Sequence, residues 1–149
     1  MTSSWQKFEE LVKQEMRKRY SEAVVEHSMD PRNLGELEDA DGFARVTGPC
    51  GDTMSMWLKV DGATIINASF MTDGCGPTIA SGSMVTEMVK GKSVSEAEKT
   101  TQRDLLNALG GLPQESEHCA LLAANTLQAA IRDYIAMKRE PWKRAYGKH

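Results

Sequence analysis

Three cysteines, an aspartate and a histidine are the residues of this 149-residue chain whose surroundings suit metal chemistry. Cys50 lies in Thr47-Gly48-Pro49-Cys50-Gly51-Asp52, Cys75 in Asp73-Gly74-Cys75-Gly76-Pro77, and Cys119 in Ser116-Glu117-His118-Cys119. None falls in the middle of an apolar stripe, where a structural core cysteine belongs. The glycines beside Cys50 and Cys75 let the backbone turn tightly and come close to a bulky inorganic group. Cys75 and Cys119 fall at predicted helix N-termini, where unpaired N–H groups and the helix dipole favour the thiolate that binds metal. Asp52 adds a hard oxygen and His118 a borderline nitrogen to the soft sulfurs. Together, Cys50, Asp52, Cys75, His118 and Cys119 offer one donor more than a tetrahedral site needs. His27 and His149 have no such neighbours and read as surface residues. Spacing alone identifies no metal, because each cysteine comes singly from its own element rather than in a C-x-x-C pair.

Composition removes other classes of function. Lys and Arg number 18 against 21 Asp and Glu, so the net charge of −3 leaves no electrostatic footprint for a nucleic-acid backbone. No stretch free of charged residues approaches the roughly 20 apolar residues of a membrane span. The N-terminus lacks the apolar core of a signal peptide, and Glu9, Glu10 and Glu15 argue against an organellar transit peptide. The cytoplasm is the expected location. There, an odd count of three cysteines points to reduced thiols rather than a disulfide framework. The basic run Lys138, Arg139, Lys143, Arg144 and Lys148 reads as a solvated tail.

The elements that must position these residues follow from periodicity. Ser3 and Gln6 have capping-box spacing, and Trp5, Phe8, Val12 and Met16 form the stripe of an amphipathic N-terminal helix. That stripe is expected to pack on the domain or on a second copy of the chain. Ala23, Val24 and Val25 continue helically until Asp30-Pro31. The period then becomes two: Met54, Met56, Leu58 and Val60 alternate with Thr53, Ser55, Trp57 and Lys59. Trp57 thereby falls on the polar face and reads as a surface aromatic. Asp61-Gly62 predicts a hairpin, with Ile66, Ala68 and Phe70 lining the returning strand and Phe43–Thr47 a third. Helical patterns resume at Pro77 (to Gly91), at 93–100 and 102–109, and near Ser116 to Lys138. Strands grouped early and helices late predict an α+β fold, a three-stranded antiparallel meander packed against a cluster of helices, with an extra N-terminal helix.

At the metal-suited residues the sequence resembles the iron–sulfur cluster assembly scaffolds of the IscU/NifU N-terminal family. The resemblance runs from about Tyr20 to Lys138. It rests on Tyr20-Ser21-Glu22, Asp30-Pro31-Arg32-Asn33-Leu34-Gly35, Cys50-Gly51-Asp52, Gly74-Cys75-Gly76 with Ile79-Ala80-Ser81, Lys90-Gly91-Lys92, and His118-Cys119, in the family's order and at compatible spacing. It implies a scaffold domain over 20–138, a helical extension over 1–19 and a basic tail over 139–149. The zinc-binding sulfur-transfer relatives carry an insertion before the last cysteine that this chain lacks. The family's Leu-Pro-Pro-Val-Lys chaperone-recognition stretch stands here as Leu112-Pro113-Gln114-Glu115-Ser116. Without its Lys, and with Glu115 reversing the charge, hand-off to an Hsp70-type chaperone is not expected. The helix after Cys75 opens with Pro77 and Thr78, where the family usually has small residues.

The resemblance implies a non-catalytic scaffold that assembles a [2Fe–2S] cluster from iron and sulfur and passes it to acceptor apoproteins. Cys50, Cys75 and Cys119 would be ligands, completed by Asp52 or His118. Cys119, at a mobile loop-to-helix junction, would be the first acceptor of sulfur from a cysteine desulfurase. Zinc can occupy the same donors, and a homodimer is possible. A zinc-dependent sulfurtransferase is the alternative; a purely structural zinc module ranks below both, because structural sites favour Cys and His over Asp.

Overall fold

The computed structural model describes residues 3–142. The tail from Lys143 onward, His149 included, lies outside the described residues. Helix α1 (Ser4–Arg17) opens with the expected capping box, Ser3 Oγ accepting from Gln6 N while Ser3 N donates to Gln6 Oε1. Helix α2 (Glu22–Met29) is capped by Ser21. Strands β1 (Gly42–Thr47), β2 (Thr53–Asp61) and β3 (Thr64–Thr72) pair antiparallel in the order β1-β2-β3. Helices α3 (Gly76–Val89), α4 (Val94–Ala97), α5 (Gln102–Leu109) and α6 (Glu117–Arg139) follow, α6 being preceded by a 3₁₀ turn at Gln114–Ser116. This is the α+β meander the pattern predicts, although the 93–100 segment is helical only over Val94–Ala97.

Met54, Met56 and Leu58 of β2 are buried with Ala68 and Phe70 of β3 beneath α3 and α6. Two close approaches set the layer spacing. A Cβ at Gly42 would lie 2.6 Å from the Ala130 carbonyl of α6, and one at Gly82 would lie 2.5 Å from the Phe70 ring. Both helices therefore sit directly on the sheet.

Two expectations change. Ile66 is exposed, and Ile65 takes the inward position. The register slips between Lys59↔Asn67 and Val60↔Ile65, so Ile66 is the extra residue of a β-bulge and the alternation restarts beyond it. Trp57 is buried, its ring 5.2 Å from that of Phe43 on the adjacent strand. Of the α1 stripe, Trp5 and Phe8 are 65% and 56% exposed, while Val12 and Met16 are half-buried, so within this chain only the far end of the helix approaches the domain.

His27 also departs from its reading, since it is buried. Its Nδ1 lies 2.7 Å from Ser83 Oγ, and its Nε2 lies 3.0 Å from Arg32 Nη1. A guanidinium can only donate, so Nε2 accepts and the ring is neutral with its proton on Nδ1. Arg32 N also donates to Ser83 Oγ, and Asn33 Nδ2 to Thr86 Oγ1 and Glu87 Oε2. Phe70 N donates to Asn33 O while Gly35 N donates to Phe70 O. The Pro31–Gly35 motif is thus a clamp joining α2, α3 and β3. Burial first, then the Arg32 charge, holds the His27 imidazole below its ordinary 6.5. A depressed folded value means that the neutral ring's contribution is present above the unfolded value and lost as pH falls through the folded one. Denaturant midpoints measured from about pH 7 down to about pH 5 should fall, with a shallower acid slope in His27→Gln.

Candidate metal centre

Hydrogen bonds at the ends of the strands place the first two cysteine loops side by side. Gly48 N donates to Asp52 O and Gly51 N to Gly48 O, closing the turn that carries Cys50, with Gly51 at φ +89. Glycine adopts that left-handed conformation without a Cβ clash. Thr53 N donates to Asp73 Oδ1, and Thr72 Oγ1 donates to Thr53 O. These bonds lace the start of β2 to the end of β3, next to the Cys75 turn. Cys75 itself is the N-cap of α3, with no side-chain capping bond, and the helix begins one residue earlier than Pro77 suggests.

Cys119 enters from the opposite end of the sequence. It is the third residue of α6, not part of a loop, and is 3% exposed, whereas Cys50 and Cys75 are exposed. Ser116, Leu122 and Ala120 are buried around it in sequence. Its immediate partners are the Thr78 hydroxyl, 3.3 Å from Sγ, and His118 Nε2, 3.7 Å away. The same Thr78 Oγ1 lies 3.2 Å from Asp52 Oδ2.

Asp52, Cys119 and His118 are therefore brought to one corner, with the Cys50 and Cys75 turns bordering it. Among the described residues, no three His, Cys, Asp or Glu side chains already converge to hold a metal ion. Burial pushes the Cys119 thiol up, opposed by the Thr78 hydrogen bond and reinforced by the nearby charges of Cys75, Asp52 and Cys50.

Thr78 is the one residue of this corner whose role has no local sequence signal. Its two partners lie 26 and 41 positions away in sequence, so the sequence marks it only as a departure from small residues. Its packing is equally specific: Thr78 is fully buried, and a Cβ at Gly74 would lie 2.6 Å from its Cβ. Glu115, in the altered chaperone-recognition stretch, pairs with Arg19 at 2.7 Å. That ion pair ties the entry to α2 to the turn leading into α6.

The sequence profile of the NifU-like N terminal domain matches residues 19–141. The chain belongs to that family. Among its curated relatives, the iron–sulfur cluster assembly scaffold protein IscU 1 of Archaeoglobus fulgidus is 48% identical over 117 residues, spanning 78% of this chain and 76% of its own. IscU of Escherichia coli K12, another assembly scaffold by name, is 45% identical over 126 residues, or 81% of this chain and 97% of its own. A solved NifU-like N-terminal structure from Brucella abortus superposes with a TM-score of 0.64 at 19% identity, covering 81% of this chain and 97% of that one. The last comparison supports the fold alone. None of the described helices is long and apolar enough to cross a membrane.

The unequal exposure of the three thiols is directly measurable. In metal-free native protein, iodoacetamide at about pH 7.5 should modify Cys50 and Cys75 first and Cys119 last. Mass spectrometry of timed digests checks the order, and unfolding in denaturant should abolish it.

Proposed function

We propose that the protein is a scaffold on which a [2Fe–2S] cluster is assembled as cargo and then passed to acceptor apoproteins. The observation that carries this reading is the corner where Asp52 and Cys119 meet at one buried hydroxyl, bordered by the exposed Cys50 and Cys75 turns. The names of the IscU relatives support it. In this reading Cys50, Cys75 and Cys119 are the sulfur ligands, and Asp52 or His118 fills the fourth position.

Such a donor set suits building and release together. Three thiolates grip iron strongly, whereas a carboxylate is a poor match for a cluster that prefers sulfur. Asp52 is the position through which the cluster loosens. A dipositive core with three thiolates and one carboxylate carries about two net negative charges, partly offset by the N-termini of α3 and α6. The exposed Cys50 and Cys75 close on the cargo as it forms. Sulfur comes from a cysteine desulfurase, and its transfer to Cys119 requires the first turn of α6 to open, since that thiol is buried.

The absence of the insertion before Cys119 favours the scaffold over a zinc sulfurtransferase. Anaerobic purification, an optical spectrum and metal analysis test the choice. A visible iron–sulfur chromophore after reconstitution supports the scaffold; zinc alone, in protein that resists iron, overturns it. Zinc in aerobic protein is compatible with both, because three thiolates readily bind it.

Asp52→Ala should lengthen the half-life of the bound cluster and slow its transfer to an acceptor apoprotein. Replacing Cys50, Cys75 or Cys119 with Ser should shorten that half-life through loss of a soft ligand. If Asp52 acts only as a turn residue, Asp52→Ala shortens it too, so anaerobic decay kinetics separate the two roles by sign.

A further inference from the structure

We propose that Thr78 is a positioning residue whose hydroxyl ties the Asp52 carboxylate to the Cys119 sulfur and governs which of the two is restrained. The tie is a property of the protein alone; its effect on bound cargo rests on the scaffold reading. A threonine hydroxyl has one proton to donate, and here two acceptors compete for it, at 3.2 Å for Asp52 Oδ2 and 3.3 Å for Cys119 Sγ. The first distance is long for an O–H···O bond, whose usual range ends near about 3.0 Å, while sulfur's larger radius makes the second a normal contact.

The hydroxyl cannot swing away to solvent. Thr78 is fully buried, and the Gly74 backbone passes so close that a Cβ there would lie 2.6 Å from Thr78 Cβ and 2.8 Å from its Oγ1. A β-branched side chain on a helix has few χ1 positions to begin with. Thr78 therefore holds a fixed donor between two residues that come from the β1–β2 turn and from α6. When Cys119 serves as a ligand it is a thiolate, a better acceptor than the thiol, so it takes a larger share of the hydroxyl proton than it does in the metal-free protein. Asp52 is then held less tightly by Thr78 and is the donor more readily released. A hydrogen bond to a ligating sulfur also raises the reduction potential of an iron–sulfur cluster.

The test compares Thr78→Val, which keeps the branched shape without the hydroxyl, with Thr78→Ser, which keeps the hydroxyl. In metal-free protein, denaturant unfolding of Thr78→Val, Asp52→Ala and the double variant should be non-additive. The unfolding constant of the double variant should stay within about twofold of the more damaging single one, rather than reaching the product of the two. In cluster-loaded protein, Thr78→Val should shift the sulfur-to-iron charge-transfer bands and move the reduction potential to more negative values, and Thr78→Ser should restore both. Additive costs in the metal-free protein overturn the tie whatever the cluster does. An unchanged spectrum and potential in loaded Thr78→Val overturn its role toward the cargo while leaving the scaffold reading intact. Wild-type protein that shows the coupling yet assembles no cluster supports the tie and overturns the scaffold reading.

Discussion

Because Gly82 presents no side chain, α3 settles directly on the ring of Phe70, and that contact sets the height at which the helix's first turn meets the β1–β2 loop. A methyl group at Gly82 would push the helix away from β3 and carry Cys75 and Thr78 with it. The same device recurs where Gly42 lets α6 lie against β1 and where Gly74 admits Thr78. The positions of α3 and α6, and with them Cys75, Thr78 and Cys119, are therefore set by close contacts at glycines rather than by the conformation of a free loop. Rigid elements deliver Cys119 and Thr78, and short turns pinned at both ends deliver Cys50 and Asp52.

What the sequence reveals and what it conceals divide along the range of the interactions involved. The Asp61-Gly62 hairpin signal, the Ser3 capping box and the stop at Asp30-Pro31 are written in a few adjacent residues; each feature forms, with the hairpin turn one residue later at Gly62-Ala63 because Asp61 still pairs with Thr64. The cysteines were legible as a set because their glycine and proline neighbours are local too. Ile66 misleads because a bulge, a property of the pairing between two strands, shifts the alternation by one. His27 misleads because the groups that satisfy it, Arg32 and Ser83, meet only when the Pro31–Gly35 segment folds across α3. Trp57 belongs with His27: its cover depends on Phe43, which antiparallel pairing places opposite it. Thr78 is the extreme case, a residue whose sequence neighbours say nothing of the carboxylate and thiol it joins.

The N-terminal helix is held on different terms from the rest. No residue of α1 is buried, so its stability comes from its own capping box and from ion pairs of Arg17 with Glu10 and Glu22. Helices of this length are marginal in isolation, and exposed ion pairs add little. Its far end does approach the site: Met16 Cε would lie 3.7 Å from a Cβ at Gly76, beside Cys75. Met16 is thereby the point at which α1 meets the turn bearing Cys75.

The candidate centre draws on three stretches of chain that are distant in sequence, with Cys119 standing at the start of the last long helix. Bringing such stretches together costs loop-closure entropy that is recovered only when α6 packs on the sheet. During synthesis, Cys50, Asp52 and Cys75 leave the ribosome as an incomplete set, and Thr78 has no sulfur to meet. Cys119 joins the Asp52–Thr78 corner only when α6 emerges and docks. The corner where Asp52 and Cys119 meet at Thr78 is thus a property of the folded domain, and no nascent segment that stops short of α6 contains it.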